Sequence, residues 1–260
     1  MFPGPHPPAP RRGARTLTPV DWLSDTWADV TTASPAPETW VVVTTAVVVL
    51  AALTVPVAWR LARHALTIVH EAGHAGVALL VGRQVSGIRV HSDTSGLTLS
   101  RGKPRGPGMI ATAFAGYPAP TVVGVGAAWL LSRGYDLAVL WALLVLVVLV
   151  LVAIRNWYGL WAVLVSLAAL VVVTGWGSPD VQAVFAYAVT WFFLLGAPRA
   201  VLEMQSGRRD ARRRGRRDTS DAGLLGGLTH LPGAFWVLVL ALVTLAGLAL
   251  GAVWLVGLQV

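Results

Sequence analysis

The stretch "LTIVHEAGHAGVALLVG", residues 66–82, is apolar enough to sit in lipid, yet it carries His70, Glu71 and His74 within five positions. An ionisable side chain at the centre of a span costs about 2.5–3.5 kcal/mol on insertion scales, so such residues are functional by default. The neighbouring long apolar runs carry no such cluster.

The whole chain supports the membrane reading. Its 260 residues are 55% hydrophobic and only 12% charged, too apolar for a soluble domain of this size. A hydrocarbon core about 30 Å thick takes about 20 apolar residues as helix. Windows of that kind fall near 40–59, 61–82, 108–131, 137–154, 157–174, 183–202 and 234–256. The expected fold class is therefore an all-α polytopic membrane protein with about seven transmembrane helices. Residues 40–260 are read as a single membrane-embedded domain. Residues 1–39, rich in Pro, Thr and small or acidic side chains, are expected to be a disordered tail with a short surface helix around Asp21–Val30. The first apolar run starts too late and runs too long for a secretory signal.

Cysteine is absent, which excludes disulfides, thiolate metal sites and a cysteine nucleophile. The net charge of +8 is concentrated in "GRRDARRRGRRD" (207–218), with seven arginines. Membrane loops are commonly basic for topological reasons, so this run is read as a solvated loop near anionic lipid; no nucleic-acid partner is expected. With the amino terminus inside, sixteen basic residues fall in cytoplasmic segments, and Arg60, Arg63 and Arg133 fall outside. The expected placement is multi-pass in the cell membrane, with the N-terminus cytoplasmic and, after an odd number of spans, the C-terminus outside.

His70 and His74 are four residues apart, so on a helix their imidazoles stand one turn apart on one face and can share a metal ion. In HExxH sites the histidines bind zinc, while the glutamate takes a proton from the zinc-activated water and passes it to the leaving amine. With six His and three Glu in the chain, the pattern is expected by chance only about 0.002 times. His70 and His74 are thus candidate Zn2+ ligands and Glu71 the candidate catalytic acid-base. Ala72, Gly73, Ala75 and Gly76 on the same helix suit close helix packing.

"HEAGHA" within a transmembrane helix of a small, cysteine-free polytopic chain resembles the site-two protease family of intramembrane zinc metalloproteases, in particular its compact bacterial branch. The segments "AFAGYPAPTVVG" (113–124), "RNWYGLWAVL" (155–164), "PRAVLEMQSGRR" (198–209) and "SDAGLLGGLTHLPGAFW" (220–236) extend the likeness over roughly residues 60–250. The resemblance implies hydrolysis of peptide bonds in membrane-spanning protein substrates, within or beside the lipid bilayer. The Leu-Asp-Gly segment that supplies the third ligand in better-known members does not occur here. Asp221, in the "SDA" segment after the basic run, is the expected third ligand. His230 is its contender, although nine residues on it would lie about 180° round a continuous helix. A Ser-Asp pair opening a helix has a second reading, as an N-cap.

After the metal-site helix, Ile88 and Val90 alternate with polar residues, Asp93–Gly96 forms a turn, and Leu97 and Leu99 alternate again, which predicts a cytoplasmic β-hairpin over 83–102. It is either a plain connection or an edge that binds substrate in extended form, as the resemblance implies; His91 is read as a surface residue. Two other functional classes stay open at this level: a non-catalytic membrane metal-binding protein or transporter, and an inactive protease relative.

Overall fold

The computed structural model describes residues 19–257, and the part of the expected tail at 1–18 lies outside them. The elements in order are α1 Pro19–Thr31, α2 Thr39–Thr54, α3 Pro56–Leu80, β1 Gln84–Val90, β2 Gly96–Arg101, α4 Pro107–Phe114, α5 Pro118–Ser132, α6 Asp136–Ala153, α7 Trp157–Trp176, α8 Pro179–Arg213, α9 Asp221–Thr229 and α10 Gly233–Val256. The chain is an all-α polytopic membrane protein with one small β-hairpin. The short helix expected near Asp21–Val30 is α1.

Four helices (α6, α7, α8 and α10) are long and apolar enough to cross a membrane. Two bent pairs, α2 with α3 and α4 with α5, raise the number to six if each counts as one crossing. The expected count of about seven takes α2 and α3 as separate crossings, whereas they pass the test of length and apolarity only as one bent pair. Val55 is extended and Pro56 opens the next helix, so the chain turns through 105° between α2 and α3. A proline at the first helical position leaves no intrahelical bond unmade.

After that turn α3 runs across one end of the bundle. Trp59 donates to Glu203, and Arg63 pairs with the same carboxylate. Tyr158, at the start of α7, bonds His64. Thr67 donates to the Thr94 carbonyl in the hairpin turn. The hairpin, the start of α7 and the last turns of α8 all lie at this end, which holds most of the arginines and is called here the basic end.

The opposite end carries the 132–136 link. There the Ser34 amide donates to the Gly134 carbonyl. Thr26, Asp29 and Ser34 also line a cavity with Asp136, Thr174 and Gln182, so the segment after α1 sits at the end away from the hairpin. The C-terminal end of α10 points the same way. The sequence reading put the N-terminal segment on the same face as the hairpin and the 203–220 loop, whereas the segment after α1 lies at the opposite end of the described helices. Arg63, read as lying on the outer side, pairs with Glu203 at the basic end. The 203–220 stretch itself is helical through Arg213.

Between the ends, α5, α8 and α10 pack through small residues, as membrane helices do where no water drives association. A Cβ on Gly247 would run into Thr121, and one on Gly251 would lie 2.9 Å from Leu194 Cδ2. The buried hydroxyls of Thr190 and Thr244 donate to carbonyls one turn back, at Ala186 and Leu240, so neither is left unpaired in the apolar layer. The hairpin is antiparallel, with Ile88 opposite Thr98 and Val90 opposite Gly96.

Candidate active site

The helical turn from His70 to His74 brings two imidazoles together, with Nε2 to Nε2 at 3.1 Å and the ring planes at 85°. Asp221, the first residue of α9, reaches both: Oδ2 lies 3.2 Å from His70 Nε2 and 3.3 Å from His74 Nε2. Three ligand atoms at these separations form the face of a small tetrahedron. Ligands about 2.0–2.1 Å from a tetrahedral zinc stand about 3.3 Å apart, so two imidazoles and a carboxylate in this arrangement fit the ion. Three acceptor atoms this close repel one another unless a proton or a cation lies between them, and the donor set therefore suits a shared cation. His74 Nδ1 is 2.7 Å from the Thr112 carbonyl. A carbonyl only accepts, so Nδ1 carries the hydrogen and Nε2 presents its lone pair to the group.

The close approach depends on the break between α4 and α5. The sequence reads as one span over 108–131, but "AGYP" interrupts it with a 64° bend. Gly116 faces the two histidines there. A Cβ at this position would run into His74 Nε2 and lie 2.6 Å from His70 Nε2. Tyr117 sets its ring edge-on to His70 at 4.7 Å. Sequence reasoning passed over both residues; the Gly followed by Pro118 and Pro120 inside an apolar run was the available signal.

Glu71 is buried on the next face of α3, outside the His-His-Asp group. Thr98 donates to its Oε2 at 2.6 Å and also lies 3.0 Å from its backbone carbonyl. Gly96 presses against the same carboxylate, leaving no room for a side chain. The β2 strand is thus seated on the glutamate. A cavity of about 470 Å³ is lined by Arg63, His70, Glu71, His74, Thr98 and Asp221 among others. His91 is exposed, in agreement with its reading as a surface residue.

Ser220 is the N-cap, accepting from the Gly223 amide at 3.2 Å, which frees the Asp221 carboxylate to face the histidines. His230 caps the far end of α9 in a left-handed conformation and is exposed, away from the group. Upstream, Asp218 accepts from the Ser220 amide and hydroxyl, and from Arg208 Nε at 2.7 Å. Burial works against the Asp218 charge, but the bonds from Ser220 and Arg208 outweigh it and hold the carboxyl below the usual carboxylate range.

A model of the Peptidase M50B-like family matches residues 43–251. No curated protein and no solved structure matches the chain.

Proposed function

Because the chain belongs to the Peptidase M50B-like family, that of the site-two proteases, we propose that it is an intramembrane zinc metalloprotease cutting membrane-associated proteins. The observation that carries this reading is the meeting of His70, His74 and Asp221 within 3.1–3.3 Å, beside a buried Glu71 on the same helix.

His70, His74 and Asp221 would hold the metal. Zinc bound there supplies Lewis acidity, lowering the pKa of water towards neutrality and polarising a carbonyl. Glu71 takes the proton of the attacking water on its carboxylate, holds it, and delivers it to the departing amine nitrogen. Thr98 fixes the carboxylate by its bond to Oε2, so the proton is received at a defined place. Tyr117 and Gly116 keep the histidines crowded together from the opposite side.

A helical substrate must be unwound to expose a carbonyl, and its freed backbone groups then need partners in lipid. The β2 edge is suited to supply them. The outer edge of β1 is already occupied, since Arg155 N donates to the Ile88 carbonyl and Asn156 bonds both polar groups of Val90. The β2 strand lies beside Glu71 instead, so a substrate strand added there would pass the acid-base group. The basic end faces the cytoplasm on this reading, by the excess of arginine there, and residues 40–260 act as one protease domain.

The test is cleavage of a panel of single-span membrane proteins by purified protein. Glu71→Gln should retain zinc and the fold while losing proteolysis, and His74→Ala should lose both zinc and proteolysis. Cleavage by Glu71→Gln at the wild-type rate would overturn the assignment.

A further inference from the structure

The arginine run 207–218 reads from sequence as uniformly solvated, but one member is not. Arg208 is only 4% exposed, on the part of α8 that extends past the bundle. Its guanidinium is engaged on three sides: Nε donates to Asp218 at 2.7 Å, and Nη1 lies 3.1 Å from both Gln205 Oε1 and the Gly233 carbonyl. By contrast Arg214, in the same run, makes one exposed pair with Asp210 at 3.4 Å. A buried guanidinium is costly unless its donors find partners, and here Nε and Nη1 both do.

Gln205 is on α8 itself, but the other two partners of Arg208, Asp218 and Gly233, flank the α9 segment that carries Asp221. Asp218 spends its other oxygen on the amide and hydroxyl of Ser220, at 3.1 and 2.6 Å. Ser220 in turn caps α9, and the next residue is Asp221. The Gly233 carbonyl lies at the other end of the α9 segment, at the start of α10. Two glycines make room: a Cβ on Gly223 would lie 2.6 Å from the Asp218 carboxyl carbon, and one on Gly233 would collide with Arg208. The α9 helix is only nine residues long and fully buries only Ala222 and Leu225, so these bonds add to a small core contact in fixing its ends.

We propose that Arg208 and Asp218 are positioning residues for the metal site, clamping both ends of α9 to α8 so that the Asp221 carboxylate is held against His70 and His74. The inference rests on the reading of those three residues as metal ligands. The clamp acts through Ser220 and does not touch the metal, in the manner of outer partners whose loss costs about 10–100-fold in metal affinity.

The experiment is a zinc titration of the purified full chain in detergent, with the metal alone as probe. Stoichiometric binding by the wild type establishes the metal reading independently; a wild type that takes up no zinc overturns that reading and the clamp with it. Given binding, Asp218→Asn keeps an acceptor for Ser220 but turns an amide towards Arg208, and should weaken zinc affinity about 10–100-fold. Arg208→Lys, which cannot reach three partners at once, should do the same, and Arg214→Ala should leave affinity unchanged. In an Asp221→Ala background, Asp218→Asn should cause no further loss, because the effect passes through that carboxylate. Hydrogen exchange of the Gly223 and Leu224 amides in metal-free protein should speed up in both clamp variants. Unchanged zinc affinity in Asp218→Asn and Arg208→Lys, or an equal loss with and without Asp221, would overturn the proposal.

Discussion

Helices α3 and α6 both come from apolar stretches of spanning length, and they take opposite paths. The α6 helix carries one ionisable side chain, Asp136, in its first turn, and is long and apolar enough to cross by itself. The α3 helix carries Arg60, Arg63, His64, His70, Glu71 and His74, and lies across the basic end after a 105° turn. Apolar content brings both segments to the membrane. What separates them is the need of the α3 side chains for protein partners: Glu203 for Arg63, Tyr158 for His64, Thr98 for Glu71, Asp221 for the histidines. Those partners sit at one end of the bundle, so α3 stays there. Polar groups within a membrane protein face its interior and pair with one another for this reason.

The strongest challenge to that comparison removes a partner of α3. Asp221→Ala should leave the metal-free fold intact, abolish cleavage and weaken zinc binding, while His230→Ala changes neither; zinc titration, measured beside cleavage, checks this. Zinc retained in Asp221→Ala and lost in His230→Ala would reverse the ligand assignment. The paths themselves are tested by an all-or-none readout, because the chain has no native thiol. Cysteine at Ser34 and cysteine at Asp210 should be labelled from opposite sides of the membrane. Labelling from the same side would mean that α3 crosses after all.

Smaller effects sharpen the picture at single positions. Gly116→Ala places a methyl group against both imidazoles and should lower zinc affinity about 10–100-fold. Gly126→Ala, within α5 and facing open space, should leave it unchanged. Smallest is Thr98→Val, which removes the hydroxyl on Glu71 without touching a ligand. It should lower kcat about tenfold with zinc affinity preserved, a split that separates orientation of the acid-base group from metal binding.

How much of this was legible in the sequence differs between the two helices. The bounds of α6, α7 and α10 follow closely from uninterrupted apolar runs, because such helices have nothing else to do than cross. The hairpin was legible from its alternation and its Asp93–Gly96 turn. The path of α3 was not. A hydropathy window averages over faces, so it reads 61–82 as a separate crossing and gives no sign of the 105° turn before α3 or of the pairing of Arg63 with Glu203. The counting of arginines was sound, but it presupposed the crossings it was used to orient. The break at Gly116 was hidden for the same reason, since glycine and proline are tolerated in membrane helices and do not by themselves announce a bend.

At the site, the histidines and Glu71 were legible because their spacing is local to one helix. Asp221 required an argument over distance, and the structure brings it to His70 and His74 while leaving His230 at the far end of α9. Its supports were not legible. Arg208 is indistinguishable in sequence from six solvated neighbours, and only packing shows that it is buried among Gln205, Asp218 and Gly233.

X-ray absorption spectroscopy of the zinc-loaded chain tests most directly the proposal that His70 and His74 of α3 and Asp221 of α9 hold one ion. The expected result is stoichiometric zinc with two imidazole nitrogens at about 2.0–2.1 Å and a carboxylate oxygen at about 2.0–2.2 Å. The carboxylate contribution should disappear in Asp221→Ala. Absence of stoichiometric zinc, or a spectrum that Asp221→Ala leaves unchanged, would contradict it.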